Sequence, residues 1–352
     1  MNQERFGEAG SSPLTHESRR GMRFLIVRLG SLGDVVHGIP AAAALRRAHP
    51  DAQIDWLVDP KYVAVLNLVS SVTRAIPLDP RAGWGRLMSS TRALRGEKYD
   101  AAIDLQGLIK SAALTRAAGA RRTIGLPRAH LREPLAALLY SEMPDPGHDP
   151  HVIRKGLALM RAVGVTDVRI AFPIDVPVTP VAARAAEQAG PGGYVIINPG
   201  AAWPNKRWPP ERFGALAAAL RERLGLMSIV LWGPGEESLA EAVVTAGRGA
   251  ATKSPPTTLT DIASVAKGAR LVISGDTGPL HIAGAVGAPL VALFGPTITE
   301  RNGPWAAADI TITRQAACQC HYARQCRTGR RCIEDIGVDE VIAAVERRVA
   351  RG

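Results

Sequence analysis

The stretch LVISGDTGPLHIAGAVGAPLVALFGPT, residues 271–297, decides the fold. A β-branched run stops at a Gly-Asp-Thr-Gly turn, an apolar segment of helical spacing follows, and a second β-branched run stops at Phe-Gly-Pro-Thr. Strand, helix and strand in such short order place two parallel strands side by side in an α/β sheet. The most apolar part, residues 282–295, is broken by glycines and Pro289 and falls short of the roughly 20 residues a membrane span takes.

The same alternation runs outward in both directions. Upstream lie strand runs YVIIN (194–198), MSIVLW (227–232) and RLVIS (270–274), with helices expected from about Pro210 to Leu224, from Glu236, and near 259–267. An earlier series opens with RFLIVR (23–28), a Gly-rich turn and an Ala-rich helix from about Val36 to Ala48, then QIDWLV, AIPL, YDAAIDL and RRTIG. Between them the chain turns rich in proline and glycine, FPIDVPVTP and AGPGG, which marks a domain boundary. At about 150 residues per domain, 352 residues make roughly two. The expectation is therefore an α/β protein of two doubly wound Rossmann-like domains, residues 22–175 and 176–352, facing across a crevice. Ligands in such sheets sit at the carboxyl ends of the strands. A closing helix at 337–350 fits either domain.

Residues 1–21 are polar and lack the apolar core of a signal peptide, so they read as a disordered extension of a cytoplasmic protein. The formal charge of +11 favours anionic partners: nucleic acid, anionic lipid or phosphorylated substrates. With 5% aromatic residues and no basic motif rich in stacking side chains, nucleic acid is the poorest fit of the three. The cysteines are confined to Cys318, Cys320, Cys326 and Cys332, which excludes a disulfide-stapled fold for the rest of the chain. Their C-x-C-x5-C-x5-C spacing, with His321 alongside, matches neither paired zinc-ligand nor ferredoxin patterns. A zinc or iron–sulfur site, free thiols and a labile disulfide all stay open, none with a catalytic role.

Four turns carry chemistry. In LGSLGDVVHGIP (29–40), Ser31 and the glycines of Gly30-x-x-Gly33 let the backbone approach a ligand after a strand, and Asp34 points a carboxylate at the crevice or caps the helix. A nicotinamide site is disfavoured by the missing third glycine, although Asp59 stands about where a ribose-binding acid belongs. In NPGAAWPNKRWPPERF (198–213), Lys206 suits a phosphate, while Trp203 and Trp208 read as packing. In the stretch quoted first, Asp276, Thr277 and Gly278 open a helix whose free N–H groups suit a diphosphate, with His281 one turn in. In WGPGEE (232–237), Glu236 suits a ribose or is an acid favoured by the helix dipole. The first domain adds Lys61, Lys110, Arg128, His130, Arg132, His148, His151, Arg154 and Lys155, either solvated charges or an anion-binding wall.

Taken in order, RLGSLGD (28–34), DLQGLIKS (104–111), the PGA and NKRWP segments within 199–209, WGPGEE and SGDTGPLH (274–281) resemble glycosyltransferase family 9, the ADP-heptose:lipopolysaccharide heptosyltransferases. The resemblance runs from Met22 to about Pro304. DLQGLIKSAAL followed by REPLAALLY (132–140) is most similar to the heptosyltransferase I branch. It implies a GT-B fold and an inverting transfer without an essential metal or cofactor, ADP-heptose being a substrate. Asp34 would be the general base and Lys206 would stabilise the leaving ADP. Glu236, Thr257, Asp276, Thr277, Gly278 and His281 would bind the donor, with Asp276 on sugar hydroxyls, Glu236 on the ribose and the surroundings of Thr257 on the adenine. Ser31, Gly33, Lys61, Lys110, Arg132 and Arg154 would face the acceptor, the Kdo region of an anionic lipid A precursor at the cytoplasmic face of the inner membrane. The N-terminal extension and the Cys-rich segment depart from the pattern. The rival expectations are a heptosyltransferase II-like acceptor, another nucleotide-sugar, or a non-catalytic nucleotide- or nucleic-acid-binding protein.

Overall fold

The computed structural model describes residues 21–321, 323–326 and 329–351. The expected disordered extension lies outside them except for Gly21. The first sheet has five strands, β1 (Arg23–Val27), β2 (Gln53–Val58), β3 (Arg74–Pro77), β4 (Ala101–Asp104) and β5 (Arg122–Ile124), in the order β3-β2-β1-β4-β5. Every pairing is parallel, with Phe24 opposite Ile54 on one side and Ala101 on the other. Phe24 to Val27 are wholly buried because helices cover both faces, which is why the strand reads as an unbroken apolar run. Those helices are α1 (Leu32–Ala48), α2 (Val63–Leu66), α3 (Trp84–Ala93), α4 (Ile109–Ala117) and α5 (Val152–Leu159).

The linker first stays with this domain, Ile174 bridging Val69, and then crosses to the second as α6 (Pro180–Ala189), whose Thr179 N–H donates to Ser264 Oγ at 3.0 Å. The second sheet comprises β6 (Tyr194–Asn198), β7 (Met227–Val230), β8 (Ala251–Lys253), β9 (Leu271–Gly275), β10 (Leu290–Phe294) and β11 (Ile310–Thr313), in the order β11-β10-β9-β6-β7-β8 and again parallel. Its helices are α7 (Pro210–Leu224), α8 (Glu237–Ala246), α9 (Leu259–Gly268), α10 (Gly278–Ala285), α11 (Thr299–Asn302) and α12 (Val338–Ala350). On α7, Phe213, Leu216, Ala217 and Leu220 form the buried stripe, and Gly225 in the left-handed region ends the helix. The closing helix α12 belongs to this domain, with Val341, Ile342 and Val345 in its core.

In both sheets the strand order reverses beside the central strand, between β1 and β4 and between β6 and β9, where open α/β sheets bind ligands. The domains meet along α1 and α10. Leu32 of α1 lies so close to Gly278 that a Cβ there would come within 2.4 Å of Leu32 Cδ2, a contact only glycine permits. The His151 Nε2–H donates to the Gly303 carbonyl at 3.0 Å, and Phe172 stacks on Trp305 at 4.5 Å between ring centres. Among the described residues no helix is long and apolar enough to cross a membrane.

Candidate active site

The turn after β1 starts α1 four residues earlier than its alanines suggest, because Asp34 completes a cap. Its Oδ2 accepts the Ser31 backbone N–H at 3.1 Å and the Ser31 hydroxyl at 3.0 Å. Oδ1 lies 2.5 Å from Nη2 of Arg28, the last residue before the turn. Arg28 is held in turn by the Leu105 carbonyl, and Gln106 Oε1 accepts the Leu29 N–H at 2.9 Å, so the β4 turn braces the β1 turn. Asp104 anchors that brace, a buried carboxylate accepting from Ser111, Tyr140, Gln106 and Gly107. Burial pushes the Asp34 carboxyl up, but Arg28, Arg301 and the Ser31 hydrogen bonds outweigh it and hold the pKa below the ordinary value. Asp34 is thus an ionised acceptor at neutral pH, and its side chain keeps 25% of its surface exposed. The capping and crevice-facing readings hold together.

Across the seam, the turn after β9 carries Asp276. Asn198 Nδ2, at the end of β6, reaches Ser274 Oγ at 2.9 Å and Thr277 Oγ1 at 3.1 Å, locking this turn to the central strand. Lys206 Nζ lies 2.5 Å from Asp276 Oδ2 and 4.7 Å from the centre of the Trp203 ring. Asp276 Oδ1 accepts from Asn302 Nδ2 at 2.9 Å and from His281 Nε2 at 3.2 Å. A carboxylate only accepts, so the His281 proton sits on Nε2. Burial opposes ionisation of Asp276, yet His281 and Lys206 prevail and its pKa lies well below the ordinary carboxylate range.

Asp276, 6% exposed, already binds three protein partners, Lys206, His281 and Asn302. It orients Lys206. His281 is a contact between the domains as well as part of the turn, since a Cβ on Gly33 would fall 2.4 Å from its ring. Gly33 thus approaches a histidine of the other domain.

The remaining donor candidates are dispersed around this pair. Thr277 caps α10 with its hydroxyl already engaged, and Gly278 packs under Leu32. Glu236 folds back so that Oε2 accepts the Gly233 N–H at 3.2 Å and Oε1 lies 3.6 Å from Arg207 Nη2. Thr257 precedes the cap of α9 and its Oγ1 is buried without a partner among the described residues. Of the acceptor candidates, Ser31 and Gly33 adjoin Asp34 and Lys61 is exposed on the turn after β2. Lys110 is bonded to the Pro80 carbonyl, and Arg132 is exposed on the loop before Pro134. Arg154 is not part of this group: it lines a separate cavity of about 660 Å³ with Arg169, Phe172 and Trp305.

Arg28, Arg301 and Asn302 complete the site without having been singled out by sequence. Only Arg28 carried a signal, as the first residue of RLGSLGD. The Cys-rich segment packs behind the Lys206 loop: buried Asn205 donates to the Ala323 carbonyl at 2.8 Å and Arg331 to the Pro204 carbonyl at 3.3 Å. None of its four cysteines forms a disulfide among the described residues, and Cys318, Cys320 and Cys332 are buried together with Cys326 against them. Burial drives the Cys332 thiol up to about 12. Among the described residues no three ligating side chains are arranged to hold a metal ion. Trp208 is packing, its indole N–H on the Ile336 carbonyl at 3.0 Å.

Comparison with known proteins bears on the family and the fold. The family model for glycosyltransferase family 9 (heptosyltransferase) matches residues 87–331. Lipopolysaccharide heptosyltransferase 1 of Pseudomonas aeruginosa is 30% identical over 315 residues, 87% of either chain. The protein of that name from Escherichia coli K12 is 30% identical over 296 residues, 78% of this chain and 88% of its own. The solved structure of the E. coli heptosyltransferase WaaC with ADP superposes with a TM-score of 0.76 at 26% identity, covering 93% of this chain and all of that one. With the GT-B arrangement of two parallel sheets and these relatives together, the chain belongs to glycosyltransferase family 9, the heptosyltransferases.

Proposed function

We propose that this glycosyltransferase moves a heptose from ADP-heptose to the Kdo region of a lipid A precursor, with inversion and without a metal ion or cofactor. The observation that carries the reading is the seam itself: Gly33, next to Asp34, lies against His281, whose Nε2–H is on Asp276, which holds Lys206. This contact sets the turn bearing Asp34, the proposed base, against the turn bearing Asp276 and the proposed cation Lys206.

In the proposed step the acceptor hydroxyl oxygen attacks the anomeric carbon from the face opposite the diphosphate. Its proton passes to the Asp34 carboxylate, the C–O bond to the diphosphate breaks, and ADP leaves with the electron pair. Direct displacement inverts the configuration. Asp34 is ionised and partly exposed, as a general base must be. Lys206 and the N–H groups at the start of α10 meet the charge that develops on the leaving phosphate, a fixed electrostatic contribution of the kind that dominates many active sites. The acceptor is anionic and lipidic, which places the enzyme as a peripheral protein on the cytoplasmic face of the inner membrane, its positive charge toward the headgroups. The similarity to lipopolysaccharide heptosyltransferase 1 and to the WaaC structure with ADP supports heptose transfer and an ADP-linked donor.

Mass spectrometry of the lipid A core after incubation with ADP-heptose tests the reading. A mass gain of one heptose is expected; turnover with a uridine-linked sugar and none with ADP-heptose contradicts it.

A further inference from the structure

The first domain exposes apolar side chains close to a cluster of arginines. After β5 the chain forms a 3-10 turn, Pro134–Leu139, that buries Ala136 and Ala137 against Ala112, Leu131 and Tyr140. Its other face leaves Leu135 59% and Leu138 79% exposed. Residues three apart eclipse on a 3-10 turn, so the two leucines form one ridge. Leu139, the next residue, instead enters a hollow of about 430 Å³ between α3 and α4, together with Met88. The rim of that hollow is Arg92, Arg95 and Arg116, all exposed.

Among the described residues no carboxylate pairs with any of these three arginines, although Arg23, Arg28, Arg47, Arg74 and Arg122 all have acidic partners. Single exposed leucines need no explanation. Two on one ridge, beside a hollow ringed by guanidinium groups with no acidic partner among the described residues, have the chemistry of a surface that meets acyl chains and phosphates together.

We infer that the Leu135–Leu138 ridge and the Arg92–Arg95–Arg116 rim form the membrane-docking surface, and that its partner is an anionic phospholipid bilayer. The leucines enter the acyl boundary and the arginines bind headgroup phosphates. This deepens the proposed peripheral location but does not depend on which sugar is transferred.

The test is sedimentation of the full-length protein with vesicles of phosphatidylcholine alone or with one third phosphatidylglycerol. The protein is expected to bind the anionic vesicles and to be released by salt. Arg92→Gln with Arg116→Gln should weaken binding about thirtyfold, from about fivefold per basic side chain at an anionic surface. Leu135→Ser with Leu138→Ser should weaken it by at least as much while the melting temperature and turnover of a soluble, deacylated acceptor stay unchanged. Wild-type binding by both variants overturns the inference, as does equal binding to neutral vesicles. Tight binding of duplex DNA, lost in the arginine variant, with no vesicle binding would assign the surface to nucleic acid instead. Failure of heptose transfer with vesicle binding intact would count against the proposed function alone.

Discussion

Gly33 of the first domain and His281 of the second touch with no room for a side chain: a Cβ on Gly33 would lie 2.4 Å from Cδ2 and 3.0 Å from Nε2 of the imidazole. Through this contact the turn that carries Asp34 is set against the turn that carries Asp276, although the two are far apart in sequence. Enlarging Gly33 must move one of them.

Gly33→Ala should therefore reduce kcat more than it reduces stability. Overpacking of this kind costs about 1–3 kcal/mol, and an ångström of misplacement at a reacting centre costs on the order of a hundredfold in rate. Thermal melts and steady-state kinetics on the same preparation check this; unchanged kcat would mean that the contact does not set the working geometry.

Lys206→Ala should weaken donor binding and slow turnover together, by about a hundredfold in kcat if Lys206 meets the leaving phosphate. Calorimetric binding of ADP beside single-turnover rates separates the two effects. A change in binding alone would confine Lys206 to holding the donor.

His37 gives a pH dependence with a defined sign. It is 4% exposed, its ring lies 4.4 Å from that of His281 and 5.6 Å from that of His151, and neither nitrogen has a partner among the described residues. Burial, then His281, His151 and Arg28, drive its pKa well below the ordinary 6.5, with Asp276 opposing. The unfolded chain takes up a proton below about pH 6.5 while the native protein does not, so stability declines as pH falls through that value. His37→Leu should flatten the fall in melting temperature between about pH 6.5 and 5. Parallel melting curves for the two proteins would show that another group controls acid stability.

The sheets were legible because buried parallel strands read as continuous apolar runs, as in YVIIN and RLVIS, and α7 was legible at both ends because Pro209-Pro210 starts it and Gly225 stops it. The short edge strands β8 and β11 were not, since three or four residues at an edge need no apolar run. Asp34, Lys206 and Asp276 stood out as chemistry-bearing residues in turns after strands. Their partnerships did not: Arg28 directly follows β1 and reads as a terminal charge, while Asn302 reaches Asp276 from 26 residues further along the chain. That Gly33 makes way for the His281 ring is a consequence of packing between domains. No local pattern records such contacts.

The central claim is that Asp34 takes the acceptor proton, and Asp34→Asn tests it most directly. The amide keeps the shape but cannot accept that proton, so transfer should fall by about a hundredfold to ten-thousandfold while ADP-heptose binds nearly as before. Single-turnover transfer measured beside donor affinity on the same variant gives the answer: lost chemistry with retained binding is the expected result, and turnover at the wild-type rate would contradict it.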